Sequence, residues 1–296
     1  MKNMFTRPYY KFTILIMIIC ILCFFLGNMI SHESSDTISN VETKVHFINV
    51  GQGDSILIQN NKFNILIDSG PNSSSDKIIK YLKKYNIKTL DYVIATHPHE
   101  DHIGSMDDVI NTFKINKIIM PKITSPDSDF SNMIKILKSK NLTITTPSDN
   151  STIKLDENNY ISFLWTGNLV DDNLNNYSLV IKYVNKNTSF LFTGDSEEII
   201  EKKLLISNAS LNSDILKVSH HGSKSSSSSE FLAKVTPLIS IISCGVGNDY
   251  GHPHKETLTT LMNVNSHIFR TDINGNIVVK TDGESLMVLT QYKNEN

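Results

Sequence analysis

Beyond the first 30 residues the apolar positions follow two rhythms. Short runs such as "KVHFINV", "SILIQ" and "FNILIDSG" are apolar or alternating, and "GQGD" and "NNK" punctuate them, which is the pattern of β-hairpins. The stretch "DKIIKYLKKYNI" changes period, with apolar residues at helical spacing and lysines on the other face. Strands and helices then alternate: "LDYVIATH" is a strand, "GSMDDVINTF" a helix beginning near Gly104, "KIIMP" a strand and "SNMIKILKSK" a helix. Strand-like runs follow in "YISFLW", "YSLVIKYV" and "TSFLFTGD". The stretch "SEEIIEKKLLI" returns to helix, "DILKVSHHG" and "PLISIISCG" to strand, and "KETLTTLM" to helix, before "GNIVVKTD" and "LMVLTQY" close as strands. Hairpins mixed with strand-helix alternation indicate an α/β protein with substantial antiparallel sheet flanked by helices. The serine run from Ser223 to Glu230 reads as a mobile loop, because periodic structure resumes on both sides.

The first 30 residues break this rhythm. A basic lead with Lys2, Arg7 and Lys11 precedes the apolar run Phe12 to Ile30, which is long enough to cross a bilayer as a helix. The following "SHESSDTISNVE" is mildly acidic, so the positive-inside bias places the bulk of the chain outside the cytoplasm. A cleaved signal peptide is the alternative, but the run is long for one and no A-x-A-like site follows. The chain of 296 residues is 40% hydrophobic, enough for a substantial core, and its net charge of -2 shows no global polycation. Nucleic-acid binding would therefore rest on a local patch or on metal ions. Cys20 and Cys23 lie in the apolar run and Cys244 stands alone, so no disulfide framework or cysteine zinc site is available.

The chemistry concentrates in "ATHPHEDHIGSM". His97 and His99, two apart, face the same side in extended geometry and can grip one ion. Asp101 and His102 follow at the helix entry and can hold a second. Imidazole and carboxylate without thiolate suit zinc, manganese or iron. Two other apolar strands end in ligand types: "SFLFTGDS" delivers Asp195, and "DILKVSHHGS" delivers His220 and His221. Neighbours on a strand face opposite ways, so only one of these two histidines can be a ligand, and the spacing does not say which. In "GNDYGHPHKETL", His252 and His254 lie just before a helix beginning near Lys255, where a phosphate can be met. Lys217, Lys224 and Lys255 flank these motifs and would make at most a small basic surface.

The ordered set "HFINVGQGDSILI", "NILIDSG", "ATHPHEDHIGSM", "FLFTGD", "LKVSHHGS" and "YGHPH" resembles the metallo-β-lactamase-fold hydrolases. Within them it most resembles the hydrolase domain of the ComEC competence family, which also occurs as a stand-alone protein. The resemblance runs from about Val45 to Tyr292. It implies a four-layer αββα sandwich, here preceded by one N-terminal transmembrane helix: a basic cytoplasmic tail at 1–11, an anchor at 12–30, a polar linker at 31–43 and the hydrolase domain at 44–293. It also implies two divalent metal ions, zinc or manganese. His97 and His99 would bind one, Asp101 and His102 the other, Asp195 would bridge them, and one of His220 and His221 would complete the second site while the other points at the substrate. Asp68 would orient the histidines from behind, and Asp54 would lie behind the ligands or meet the substrate. The broader fold usually adds a histidine from mid-chain, yet none occurs between His102 and His220. Asn176 and Ser178 of "NLNNYSLVIKY" are the candidates for completing that shell or binding substrate, and oxygen ligands there would favour manganese.

Two such ions would generate hydroxide near neutral pH for attack on a phosphodiester. Asp101 would orient it, and His220, His221 or His252 would protonate the leaving group. The expected activity is that of a phosphodiesterase or nuclease acting on extracellular DNA, working beside a separate DNA-uptake channel. The alternatives are a cell-surface phosphodiesterase for phosphorylcholine or teichoic-acid-type groups, and a non-catalytic membrane-tethered module that binds DNA or a partner. The oligomeric state is open.

Overall fold

The computed structural model describes residues 42–169 and 171–292, all within a unit that begins at Glu42. The basic tail, the apolar run at 12–30 and the linker to residue 41 lie outside them. Among the described residues no helix is long and apolar enough to cross a membrane.

The hairpin rhythm becomes an antiparallel meander of β1 (Thr43–Phe47), β2 (Ile56–Gln59) and β3 (Asn64–Ile67). Parallel strands β4 (Thr89–Ile94), β5 (Lys114–Ile119) and β6 (Ile144–Thr145) extend it. A second sheet holds the antiparallel strands β7 (Thr152–Lys154), β8 (Asn159–Trp165), β9 (Val180–Asn185) and β10 (Thr188–Phe192). Parallel strands β11 (Ile215–Lys217), β12 (Ile239–Ile242) and β13 (His267–Arg270) continue it. The closing strands β14 (Ile277–Thr281) and β15 (Leu286–Thr290) return to the first sheet beside β1.

Alternation along the strands sorts the side chains into layers. Ile56 and Ile58 face the space between the sheets, where they join Phe163, Ile181, Phe190 and Ile215, whereas Leu57 between them faces outward. That outer face is covered by α1 (Ser75–Lys84), the short α2 (Glu100–Ile103), α3 (Met106–Thr112) and α4 (Ser128–Ser139), which bury Ile78, Leu82, Ile103, Val109 and Met133. On the second sheet, Leu191 and Leu216 face α5 (Glu198–Ile206), α6 (Ser229–Val235) and α7 (Lys255–Asn263), which bury Ile200, Phe231 and Leu261. The result is the four-layer αββα sandwich. Strands buried on both faces explain why "SILIQ" and "LISII" read as runs rather than strict alternations.

Two expectations need correction. The helix of the histidine motif starts at Glu100, not near Gly104, so Asp101 and His102 sit inside its first turn. The serine run is not a free loop: Ser223, Ser226 and Ser227 are buried. Glu201, a buried residue of α5, accepts hydrogen bonds from the Ser227 and Ser228 amides. The Ser228 hydroxyl then accepts from the Phe231 amide and caps α6. Composition alone conceals this, because the ordering group lies on another element. Glu201→Ala should leave two amides without their acceptor and cost about 1–3 kcal/mol, with new protease cleavage within 223–228. Wild-type melting with no new cleavage would contradict that role.

Candidate metal site

Parallel strands carry their C-terminal ends to the same edge, where α/β proteins place their sites. In the first sheet β3 delivers Asp68. Its Oδ1 accepts from the Thr96 amide at 2.8 Å, and its Oδ2 accepts from the Thr96 hydroxyl at 2.7 Å and from His102 Nδ1 at 2.8 Å. With Nδ1 donating, His102 turns Nε2 to the interior, where it would offer a lone pair to a metal once its proton leaves. His97, beyond β4, is fully buried. Its Nε2 lies 3.0 Å from His99 Nδ1, and its Nδ1 lies 3.2 Å from the Ser178 hydroxyl.

The second sheet supplies the rest. After β10 the Thr193–Gly194 turn delivers Asp195, whose amide donates to Ser178 Oγ at 3.0 Å. His220 and His221 lie beyond β11 on a tight turn, both in the left-handed region at φ 49° and 54°. They are therefore not strand neighbours, and the turn separates their environments. His221 is buried, donates from Nδ1 to Ser243 O at 2.9 Å, and places Nε2 3.1 Å from Asp101 Oδ2 and 3.3 Å from Asp195 Oδ2. His220 faces the cleft, with Nδ1 3.3 Å from Glu197 Oε1 and Nε2 3.8 Å from Asp195 Oδ2.

Glycines make this convergence possible. A Cβ on Gly53, at φ +129°, would lie 2.3 Å from the Asp101 carbonyl oxygen. One on Gly222, at φ +86°, would lie 2.5 Å from the Pro253 side chain. Close approach of the loops thus calls for glycine at Gly53 of "GQGD" and Gly222 of "SHHGS".

Asp101, His102, Asp195 and His221 each offer one donor atom, all within 4.8 Å of one another. His102 Nε2 and Asp195 Oδ1, 3.2 Å apart, are both buried without a hydrogen-bond partner. Burial alone would lower the His221 pKa, but Asp195 and Asp101 beside it raise it to about 10. Burial opposes His102 as well, and Asp195, Asp101 and Asp68 carry it well above the ordinary histidine value. Asp195 would be raised by burial, yet His221 and His102 hold it well below the usual carboxylate range. The field thus demands positive charge, which protons supply in the metal-free chain. A divalent cation with nitrogen and oxygen ligands satisfies the same demand, so the donor set fits zinc or manganese.

His102 lies buried behind Asp101, Asp195 and His221, which line an open cleft of about 490 Å³. Its wall includes Asn175, His220, Tyr250 and His252, and its rim Asp127 and Asp129. Among the described residues no lysine or arginine lines it. His252 is buried with Nδ1 unpartnered, and the Tyr250 ring stacks on it at 5.6 Å. Burial, reinforced by His221 and His220, lowers the His252 pKa to about 4.

Several sequence candidates land elsewhere. The Asn176 amide is engaged by Asp171 and the Glu197 backbone, so it does not face His97. Its neighbour Asn175 lines the cleft, with a buried Oδ1 that lacks a partner. Ser178 supports the His97 ring from the Nδ1 side. His254 accepts from the Lys224 amide at 3.1 Å. Lys217 offers no basic surface: it is fully buried, 2.7 Å from the equally buried Asp54, which removes Asp54 from contact with substrate. Gln52, Tyr250, Glu197 and Lys217 carried no sequence signal beyond adjacency to the motifs. Cys244 is buried, and burial together with Asp272 pushes its thiol up to about 12.

Comparison with known proteins fits this geometry. Over 256 residues the chain is 29% identical to ComE operon protein 3 of Bacillus subtilis, covering 80% of this chain and 33% of that one. It is 27% identical to Recombination protein 2 of Haemophilus influenzae, covering 80% of this chain and 28% of that one. Competence protein ComA of Neisseria gonorrhoeae is 25% identical over 84% of this chain and 34% of its own length. The chain thus spans about a third of these curated relatives. Among solved structures, the metallo-β-lactamase fold protein YhfI of Bacillus subtilis superposes with a TM-score of 0.55 at 14% identity, covering 81% of this chain and all of its own. CmlA, a diiron β-hydroxylase from Streptomyces venezuelae, gives 0.55 at 14% identity over 81% of this chain and 54% of its own. The family model for the metallo-β-lactamase superfamily matches residues 48–246, a span that holds every donor named above, and with the αββα sandwich around them the chain belongs to that superfamily.

Proposed function

We propose that this domain is a metal-dependent phosphodiesterase that cleaves DNA, using two divalent ions, zinc or manganese. One observation carries the reading: four nitrogen and oxygen donors from two sheets converge within 4.8 Å, and Asp101, Asp195 and His221 among them line an open cleft. Similarity to a protein named for competence supports DNA as the first substrate to test. Asp101, His102, Asp195 and His221 would hold one ion, and His97 and His99, beside them, a second with Asp195 shared. Bound divalent ions supply Lewis acidity, which makes hydroxide available near neutral pH and offsets charge gathering on a phosphoryl group. The residues of the chain do the rest. Asp101, whose carboxylate reaches the cleft, orients the attacking water. His220 and His252 line the cleft, and His252, neutral at pH 7, would accept or relay a proton. Residues 12–30 would tether the domain outside the cytoplasm, where it meets DNA ahead of a separate uptake channel.

A second reading is favoured by the rim. Carboxylates of Glu100, Asp127 and Asp129 with no flanking cation repel a polyanion, and the exposed Tyr250 offers an aromatic face. A phosphodiester that carries its own positive group, such as a phosphorylcholine ester, would meet no such repulsion at the rim.

The full chain loaded with zinc or manganese should hydrolyse bis-p-nitrophenyl phosphate and labelled DNA, and Asp195→Ala should lower both rates on the order of 10²-fold or more. Turnover of phosphocholine esters with DNA untouched would select the second reading, and no turnover at all would end both. Protonation gives an independent check. Raised pKa values mean that His102 and His221 carry protons before metal binds, so uptake near pH 7 should release about two protons. Affinity should rise with pH toward 10, the value for His221. Calorimetry in buffers of different ionisation enthalpy measures this, and proton-neutral uptake would contradict it.

A further inference from the structure

We propose that the buried Lys217–Asp54 ion pair is a positioning device that sets the spacing between the two halves of the metal site. His97, His99, Asp101 and His102 follow β4 in the first sheet, whereas Asp195 and His221 follow β10 and β11 in the second. A centre shared between sheets needs a fixed separation, and apolar packing between sheets is non-directional. Directional links must come from polar groups at the depth of the ligands.

Ser178 provides one such link, between His97 and the Asp195 amide. The ion pair provides another. Lys217 ends β11 in the second sheet, and Asp54 precedes β2 in the first. The ammonium lies 2.7 Å from Asp54 Oδ2 and donates to Val218 O at 2.9 Å, just before the histidine turn. The Asp54 main chain binds the first half: its amide donates to Asp101 O at 3.1 Å, and its carbonyl accepts from Gly70 N at 2.7 Å. The Lys217 main chain binds the second half, its carbonyl accepting from the Thr193 hydroxyl at 2.8 Å, two residues before Asp195. The remaining Asp54 oxygen, buried and without a hydrogen-bond partner, lies 3.8 Å from His221 Nδ1. One pair therefore reaches the main chain of Asp101, the strand end of Asp195 and the ring of His221. Buried ion pairs are weak sources of stability, because desolvation offsets their attraction. This one stands where it governs geometry.

The inference rests on the metal-centre reading, and its test reads metal binding rather than turnover. Asp54→Glu lengthens the link by one methylene and keeps both charges. The double variant Asp54→Asn with Lys217→Met removes both charges and leaves neither one buried alone. In whichever variant melts cooperatively, zinc affinity by equilibrium dialysis should fall about 10–100-fold. The visible bands of the cobalt-substituted protein should shift as well. Wild-type zinc affinity and an unchanged cobalt spectrum in a folded variant would overturn the proposal. A wild-type chain that binds no zinc would instead sink the metal centre itself.

Discussion

Everything at the site follows from one electrostatic constraint: the carboxylates of Asp54, Asp68 and Asp195 are buried together, with Asp101 at their margin. Buried carboxylates persist as anions only beside cations or strong donors. Lys217 answers Asp54, and His102 with Thr96 answers Asp68. Asp195 has histidines alone, so it pulls His102 and His221 toward their protonated forms. A site that charges its own imidazoles is a site built for a stronger cation.

The sandwich exists to place these groups. Each sheet buries both faces, which leaves its strand ends as the place where polar side chains can gather without disrupting a core. The two sets of strand ends meet at one edge, and glycines at 53 and 222 let the loops between them approach to contact distance. These rings then have little freedom, because they are held from behind: His102 by Asp68, His97 by Ser178 and His221 by the Ser243 carbonyl.

The sequence reveals the parts of this arrangement that depend on local pattern. Strand and helix periods gave the α/β architecture, and the histidine motif pointed to the strand end where Asp101 and His102 meet Asp195 and His221. What it hides depends on distant partners. Lys217 looks like a solvated lysine until Asp54 is brought against it from the other sheet. The serine run looks mobile until Glu201 takes up its amides. The choice between Asn175 and Asn176, or between His220 and His221, turns on the backbone of a short turn, which the pattern of residue types does not encode.

The cleft combines a candidate divalent-cation site with a lining that carries no lysine or arginine among the described residues, so under the proposed function bound ions would supply the attraction for a phosphodiester. X-ray absorption at the zinc or manganese edge of the purified chain tests this most directly. It should show a nitrogen and oxygen shell at about 2.0–2.2 Å with an imidazole signature and no sulfur. A chain that retains no metal, or a shell containing thiolate, would contradict it.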